Sequence, residues 1–417
     1  MADVDGTGTL TAAQAVLAGL DVIAPWLEEV YVHLHENPEL SSEEVETARD
    51  VTDRLVSWGY DVQQVGGGVV GVLVNGSGPT VLVRADMDGL PVVEATGLPY
   101  ASTKTATDAS GGTVGVMHAC GHDVHVTAGL GAARLVAHAR DHWSGTYVAL
   151  FQPAEETAAG ARAMVADGLV DRVPRPDVAF AQHVLTSPAS GEVATTAGPV
   201  LSAGDSLRIT VFGTGSHGSM PHLGVDPVVI AASVVMRLQT IVSREIAPSA
   251  FGVVTVGSLQ AGSKSNIIPD RAVLLVNVRA YDLAVRDTII AAIERVVRGE
   301  CATAGSPREP TFEYYDQYPL TSNDAGVVDT VTREFRRYFG KERVRHMDPA
   351  TASEDFSVVP DAFGIPSCYW GLGGFLPGMP VFPNHNPAFA PAMEPTLRTG
   401  TEALVVAAMA YLGKTVL

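Results

Sequence analysis

Thiolate, imidazole and carboxylate donors stand at a few well-separated points of this chain. In "HACGHD", residues 118–123, Cys120 and His122 lie one residue apart between His118 and Asp123, in a sequence with only three cysteines. "QPAEE" sets Glu155 beside Glu156, "AFAQH" ends on His183, and "PNHNPAF" carries His385. Such a mixture suits zinc and tolerates manganese, cobalt or nickel. Each piece alone has a bland reading: a buried cysteine beside a capping residue, or a solvated acidic pair. A structural zinc draws four ligands from closely spaced Cys/His pairs. These donors instead run from Cys120 to His385 and include carboxylates, which points to an open catalytic centre. The paired glutamates suggest a division of labour. One carboxylate binds the metal while its neighbour takes a proton from the bound water, whose pKa the metal brings to about 7.

The elements that must position these donors can be read from periodicity. Three β-rich runs, "TVLVRADMD", "TYVALFQPAEE" and "DVAFAQH", each end on candidate ligands: Asp86 and Asp88, Glu155 and Glu156, and His183. The stretches between them are long enough for crossover helices, so the pattern predicts an α/β fold. In a mainly parallel sheet the crevice beyond the carboxyl ends of the strands would gather all three ends. "HACGHDVHVTAGLGAARLVAHA" predicts a helix whose N-terminal end faces the same crevice. From about residue 204 the texture becomes β-α-β-β-α-β, the order of a ferredoxin-like α+β unit, and ligand candidates resume after it. The expected architecture is therefore a mixed, mainly parallel-sheet domain over 1–203 and 317–417 with a unit inserted at 204–316.

Composition narrows the function classes. With 46 acidic against 27 basic residues the chain carries a net charge of -19, which repels nucleic acid, and no clustered basic tract offsets it. "MADVDGTGTL" lacks the basic-then-apolar order of a leader, and "ALVVAAMAYL" is too short to span a bilayer. The expectation is a soluble, cytoplasmic protein with no membrane partner. Cys120, Cys301 and Cys368 are odd in number and widely spaced, which argues against a disulfide framework. Cys301 and Cys368 are read as small buried hydrophobes.

"RADMDGLPVVEATGLPYAS", "GVMHACGHDVHVTAGLGAARLV", "FQPAEETAAGARAMVADGLV", "SHGSMPHLGVDPVV" and "AGSKSNIIPD" occur in that order. Together they resemble the M20 metallopeptidases, and more narrowly the amidohydrolase branch of aminoacylases, hippurate hydrolases and auxin-conjugate hydrolases. The likeness runs from "LHENPELSSEE" to "NHNPAF". It implies a metal-dependent amidohydrolase acting on N-acyl amino acids or related conjugates, with Cys120, His122, Glu156, His183 and His385 as ligands and Glu155 as general base. Asp88 matches the aspartate that orients the base or a ligand imidazole, and Asp86 stands open as an extra ligand. The family commonly holds two divalent ions per subunit, here with zinc favoured. The inserted unit resembles the family's dimerisation domain, which implies a homodimer and gives His217, with His222 as the other choice, and Asn266 roles at the substrate. Arg279 offers itself to a substrate carboxylate, or to surface pairs; Glu354 is a candidate supporting acid. His118 is a candidate support for the ligands, while His33, His35, His125 and His142 are read as structural or surface histidines. "QHVLTSPASG", "TASEDF" and Asn386 depart from the branch's usual pattern without removing a ligand.

Three rivals remain at this level: a dipeptidase or aminopeptidase on the same fold, a non-catalytic binding protein, and a thiol enzyme using Cys120 as nucleophile.

Overall fold

The computed structural model describes residues 11–107 and 111–414. The leader reading of residues 1–10 lies outside the described residues. An eight-stranded sheet runs in the order Asp61–Val65, Gly68–Asn75, Gly145–Gln152, Thr80–Asp86, Val178–Ala189, Ser367–Phe375, Val193–Thr195, Val344–His346. Thr80–Asp86 is parallel to both its neighbours, and Val178–Ala189 is parallel to Ser367–Phe375, while the outer strands supply antiparallel pairs. Central strands covered on both faces need apolar residues throughout. Every residue of Gly145–Gln152 and of Ser367–Phe375 is accordingly buried.

Register decides what meets at the strand ends. Asp86 lies opposite Gln152, Arg84 opposite Ala181, and His183 opposite Gly371. The residues after Asp86 and Gln152 therefore emerge at the level of His183. One expectation needs correction here: the strand carrying His183 does not end there but continues to Ala189, because Ser367–Phe375 keeps pairing beside it as far as Phe375.

The helix His122–His138 is buried along nearly its whole first four turns, its Ala and Gly residues letting it sit close to the sheet. It starts from Gly121 at φ 80°, where a Cβ would collide with the Val184 side chain. The helix Ala325–Phe339 turns Val327, Val328, Val331, Phe335 and Phe339 inward after an Asp324 cap, and Phe335 stacks edge-on against Trp370 at 5.2 Å.

The chain divides into two compact units. The first runs up to Val200 and resumes over Ser322–Asp348 and from Asp355; the second is Leu201–Thr321 with the short segment Pro349–Glu354. The 204–316 expectation thus differs at both ends and lacks the returning segment, whose membership comes from contacts such as Ser202 Oγ donating to the Thr351 carbonyl at 2.9 Å. The second unit carries an antiparallel four-stranded sheet in the order Gly252–Ala261, Arg271–Ala280, Ala203–Phe212, Thr311–Tyr318, with the helices Pro227–Arg244 and Leu283–Thr303 contributing to its apolar core. This is the strand order of a ferredoxin-like fold. Among the described residues Pro227–Arg244 is the one helix long and apolar enough to cross a membrane. Its inner face buries Ile230, Val234, Leu238 and Ile241, while Val229 and Met236 point to solvent.

Candidate metal centre

Overlapping donor groups meet at the carboxyl end of the parallel strands. Cys120, His122 and His183 place ligand atoms within 4.8 Å of one another, as do Cys120, Glu156 and His385, and His122, Glu155 and Glu156. Cys120 Sγ lies 3.4 Å from His183 Nε2, and His385 Nε2 lies 3.3 Å from Glu156 Oε2.

Hydrogen bonds settle which face of each imidazole is turned inward. His183 donates from Nδ1 to the Val184 carbonyl at 2.8 Å, leaving its Nε2 lone pair beside the Cys120 sulfur. His122 uses Nδ1 on Asp88 Oδ1 at 3.1 Å, and its buried Nε2 has no hydrogen-bond partner. An orphaned nitrogen deep in a protein is costly unless something binds it. A carboxylate holding the far side of an imidazole is the arrangement found behind metal ligands. His385 sits at φ 70° with its backbone N–H on the Ala119 carbonyl at 2.7 Å, which brings this sequence-distant residue to the "ACGHD" turn.

The donors are pushed in different directions. Burial, then the Glu156 charge, pushes the Cys120 thiol upward, and burial, then His125, holds His183 well below the usual histidine range. Burial opposes charge on His122, but Asp86 and Asp88 raise it well above that range, and hydrogen bonds to Cys120 and Glu156 raise His385 to about 10. A divalent ion held among these donors would compensate the buried anions and favour the neutral imidazoles.

Asp86 and His125 also lie with His122 in a group of donor atoms within 4.8 Å of one another, and both are already engaged by other partners. Asp86 takes Arg84 Nη1 on Oδ2 at 2.6 Å and His125 Nδ1 on Oδ1 at 2.5 Å. His125 Nε2 accepts the Val184 N–H at 2.8 Å, so both its nitrogens are used. Burial opposes ionisation of Asp86, yet Arg84 and the two histidines hold its carboxyl well below the usual range. Asp88 serves both sides of the centre, with Oδ1 on His122 and Oδ2 accepting from Ser41 Oγ at 2.7 Å and the Glu156 N–H at 3.0 Å. His118 is buried with neither nitrogen hydrogen-bonded, and burial lowers it to about 4; it makes no hydrogen bond to a ligand. His33 and His142 are exposed.

In the second unit His217 and Asn266, far apart in sequence, come together on a two-stranded ladder: His217 pairs with Ile267, and the Gly218 N–H donates to the Asn266 carbonyl at 2.8 Å. Both are exposed. His217 Nδ1 accepts from the Ser219 N–H and hydroxyl, at 3.2 and 2.7 Å, so Nε2 carries the proton and faces outward as a donor. Arg279 is held by Asn277 Oδ1 at 2.9 Å and by Ser353 Oγ.

Sequence reasoning passed over Arg84, Ser41 and Glu44, and gave His125 no link to Asp86. Two signals were present. Arg84 interrupts an apolar strand two residues before Asp86, hence on the same face, and His125 follows His122 by one helical turn. Ser41 and Glu44 left no local signal, because their partners lie in distant loops.

Residues 82–410 match the family model described as Peptidase family M20/M25/M40. The chain is 34% identical over 400 residues to "Thermostable carboxypeptidase 2" of Saccharolobus solfataricus, covering 94% of this chain and 97% of that one. It is 36% identical over 342 residues to the N-acetyl-L-cysteine deacetylase of Bacillus subtilis, covering 80% and 78%. The crystal structure of a dinuclear metal-binding peptidase of the M20 family from Bacillus subtilis superposes with a TM-score of 0.76 at 27% identity, covering 93% of this chain and 99% of that one. With the family model spanning most of its length and relatives matching it nearly end to end, this chain is a hydrolase belonging to peptidase family M20/M25/M40.

Proposed function

We propose that this protein hydrolyses the amide bond of small N-acyl amino acids or related amino-acid conjugates, releasing a carboxylic acid and an amino acid. The observation that carries the reading is the Glu155 carboxylate standing within 4.8 Å of the ligand atoms of His122 and Glu156, which belong to the donor groups around Cys120. Cys120, His122, Glu156, His183 and His385 are the metal ligands in this reading. A divalent ion, when held by them, would supply Lewis-acid polarisation of the scissile carbonyl and bring the pKa of a water at the centre to about 7. Glu155 takes the proton of the attacking water and returns it to the leaving nitrogen. Asp88 keeps His122 turned inward through Nδ1 and anchors the Glu156 backbone. Two donor groups that share Cys120 support two ions per subunit, with zinc favoured over manganese, cobalt or nickel.

The protein acts as a homodimer through the inserted unit, and His217 and Asn266 of one subunit serve the substrate of the other. Supporting this, the Pro227–Arg244 helix exposes Val229 and Met236, and Gly252–Ala261 is an edge strand of its sheet. An outward N–H on His217 suits an oxyanion that exists only in the transition state. The cytoplasm is the location this chemistry favours: all three cysteines are free thiols, and Cys120 must stay reduced to bind metal.

The relative named as a carboxypeptidase favours a second reading, cleavage of unblocked peptides at the same centre. Metal analysis combined with a panel of N-acyl amino acids and matched acetylated and free dipeptides, on wild type and Glu155→Ala, separates the two. Turnover of the N-acylated members only, lost in Glu155→Ala at unchanged metal content, is the expected result. Preference for free dipeptides transfers the assignment to a peptidase, and full activity in Glu155→Ala removes the general base.

A further inference from the structure

The motif "PELSSEE" lies far in sequence from every donor, yet residues 39–44 grip both loops that carry the acidic machinery. The Glu39 carbonyl accepts the Gly89 N–H at 2.7 Å, and Ser41 Oγ donates to Asp88 Oδ2 at 2.7 Å. Three residues on, Glu44 is buried at 4% exposure, and its Oε1 accepts the Ala154 N–H at 2.7 Å. Ala154 directly precedes Glu155 and holds φ 48°, a left-handed conformation unfavourable for a residue with a Cβ.

The turn around Ala154 is closed on itself. The Ala154 carbonyl accepts from the Ala159 and Gly160 N–H groups at 3.2 and 3.1 Å, and the Glu155 carbonyl from the Ala158 N–H at 2.8 Å. At Gly160 a Cβ would overlap the Pro153 carbonyl, so the turn admits nothing larger there. A cavity of about 350 Å³, open on one side, borders the turn and is lined by Ser42, Glu44, Gly66, Pro153, Ala154 and Gly160 among others, so the turn is not backed by protein on every side. At its edge the Glu44 carboxylate holds the Ala154 N–H. Its cost is visible, since burial and then the Asp88 charge push it up to about 7. A fold selected for stability alone gains little from an acid at this point.

We propose that Glu44 is a positioning residue for the general base: by holding the Ala154 N–H it sets the left-handed turn and the direction from which Glu155 faces the reacting water. The inference rests on the reading of Glu155 as that base.

The test measures kcat, KM, metal content and melting temperature for Glu44→Ala and Glu44→Gln, each alone and on a Glu155→Ala background, with the best substrate of an N-acetyl amino acid panel. Glu44→Ala should lower kcat by about 10- to 100-fold, the scale of a misplaced catalytic group, while KM and metal content hold. Glu44→Gln, whose amide oxygen accepts the same N–H, should keep kcat within about threefold of wild type. On the Glu155→Ala background Glu44→Ala should cost less than about threefold more, because the two residues act through one group. If the alanine variant does not fold, Glu44→Met, which fills the space without an acceptor, carries the same expectation. Loss confined to metal content or KM, a glutamine variant as impaired as alanine, or fully multiplicative losses would each overturn the proposal. Full activity in Glu155→Ala would instead sink the general-base reading, whereas an inactive Glu155→Ala beside a fully active Glu44→Ala would sink only this one.

Discussion

In the sheet-centred unit His122, Asp88 and Glu155 are 0%, 1% and 5% exposed, and their neighbours are fixed by hydrogen bonds from strands, turns and a helix start. In the inserted unit His217 and Asn266 stand in solvent on a short ladder, with the Ser219 hydroxyl at His217 Nδ1. Chemistry that moves protons beside a metal needs donors whose orientation is set before the substrate arrives, and burial among partners supplies that. In the proposed role, a residue that only has to meet developing charge can wait at a surface until the substrate arrives. One consequence is that damage to the ligand-supporting residues of the first unit, such as Asp88, should weaken metal binding, whereas damage to Glu155 or to the second unit's His217 should change rate and leave the metal untouched.

The largest expected effect breaks the first half of that contrast. Glu155→Ala should lower kcat by about 10²- to 10⁴-fold, the range for losing a general base, with metal content unchanged by elemental analysis. Retained metal with retained activity contradicts it.

His217→Ala should cost about 10²- to 10³-fold in kcat, as for one oxyanion donor, with melting temperature and metal content unmoved because the side chain is exposed. A mixing experiment sharpens this. If His217 serves the neighbouring subunit, equal amounts of the two inactive variants, allowed to exchange, should recover about a quarter of wild-type activity, since half the dimers then hold one intact site. No recovery after demonstrated exchange places His217 in its own subunit's site.

A third prediction concerns the buried frame of the first unit. His35 lies between Asp123 and Glu94, at 2.7 and 3.1 Å. Burial works against its charge, but the hydrogen bonds to the two carboxylates outweigh it and raise His35 to about 10. A raised folded-state pKa means that this stabilisation is fully present below the unfolded value near 6.5 and fades as the pH rises through about 10. Chemical denaturation across that window should show the stability gap between wild type and His35→Gln shrinking by on the order of 5 kcal/mol. A gap that stays constant or widens would show that His35 is not charged in the folded protein.

The smallest of the four is Asp88→Asn, which keeps the shape but weakens the hold on His122. Metal affinity should fall about 10- to 100-fold by competition with a chelator, as for other outer partners of ligand histidines. An unchanged affinity would assign the orientation of His122 to packing alone.

Much of this was legible beforehand for a physical reason. Donor types, their place after β-rich runs, the β-α-β-β-α-β insertion and the ordered motifs are properties of short segments, and short segments carry their own periodicity. Even there a boundary slipped: the strand holding His183 runs on to Ala189, because its length is set by the neighbouring strand rather than by its own residues.

What the sequence by itself determined, then, is the inventory: which thiolate, imidazoles and carboxylates exist, and in what order of elements. Tertiary structure decided their employment. His122 and His125 share a helix face, but only long-range pairing turns one inward on an orphaned nitrogen and spends the other on Asp86 and Val184. Asp86 and Asp88 are two residues apart, yet Arg84 claims one and Ser41 the other. Ser41 and Glu44 reach the centre through loops that no local pattern connects. Each of these choices depends on which distant atom occupies the one available hydrogen-bond direction, and that is fixed by strand register and loop closure after the chain has folded.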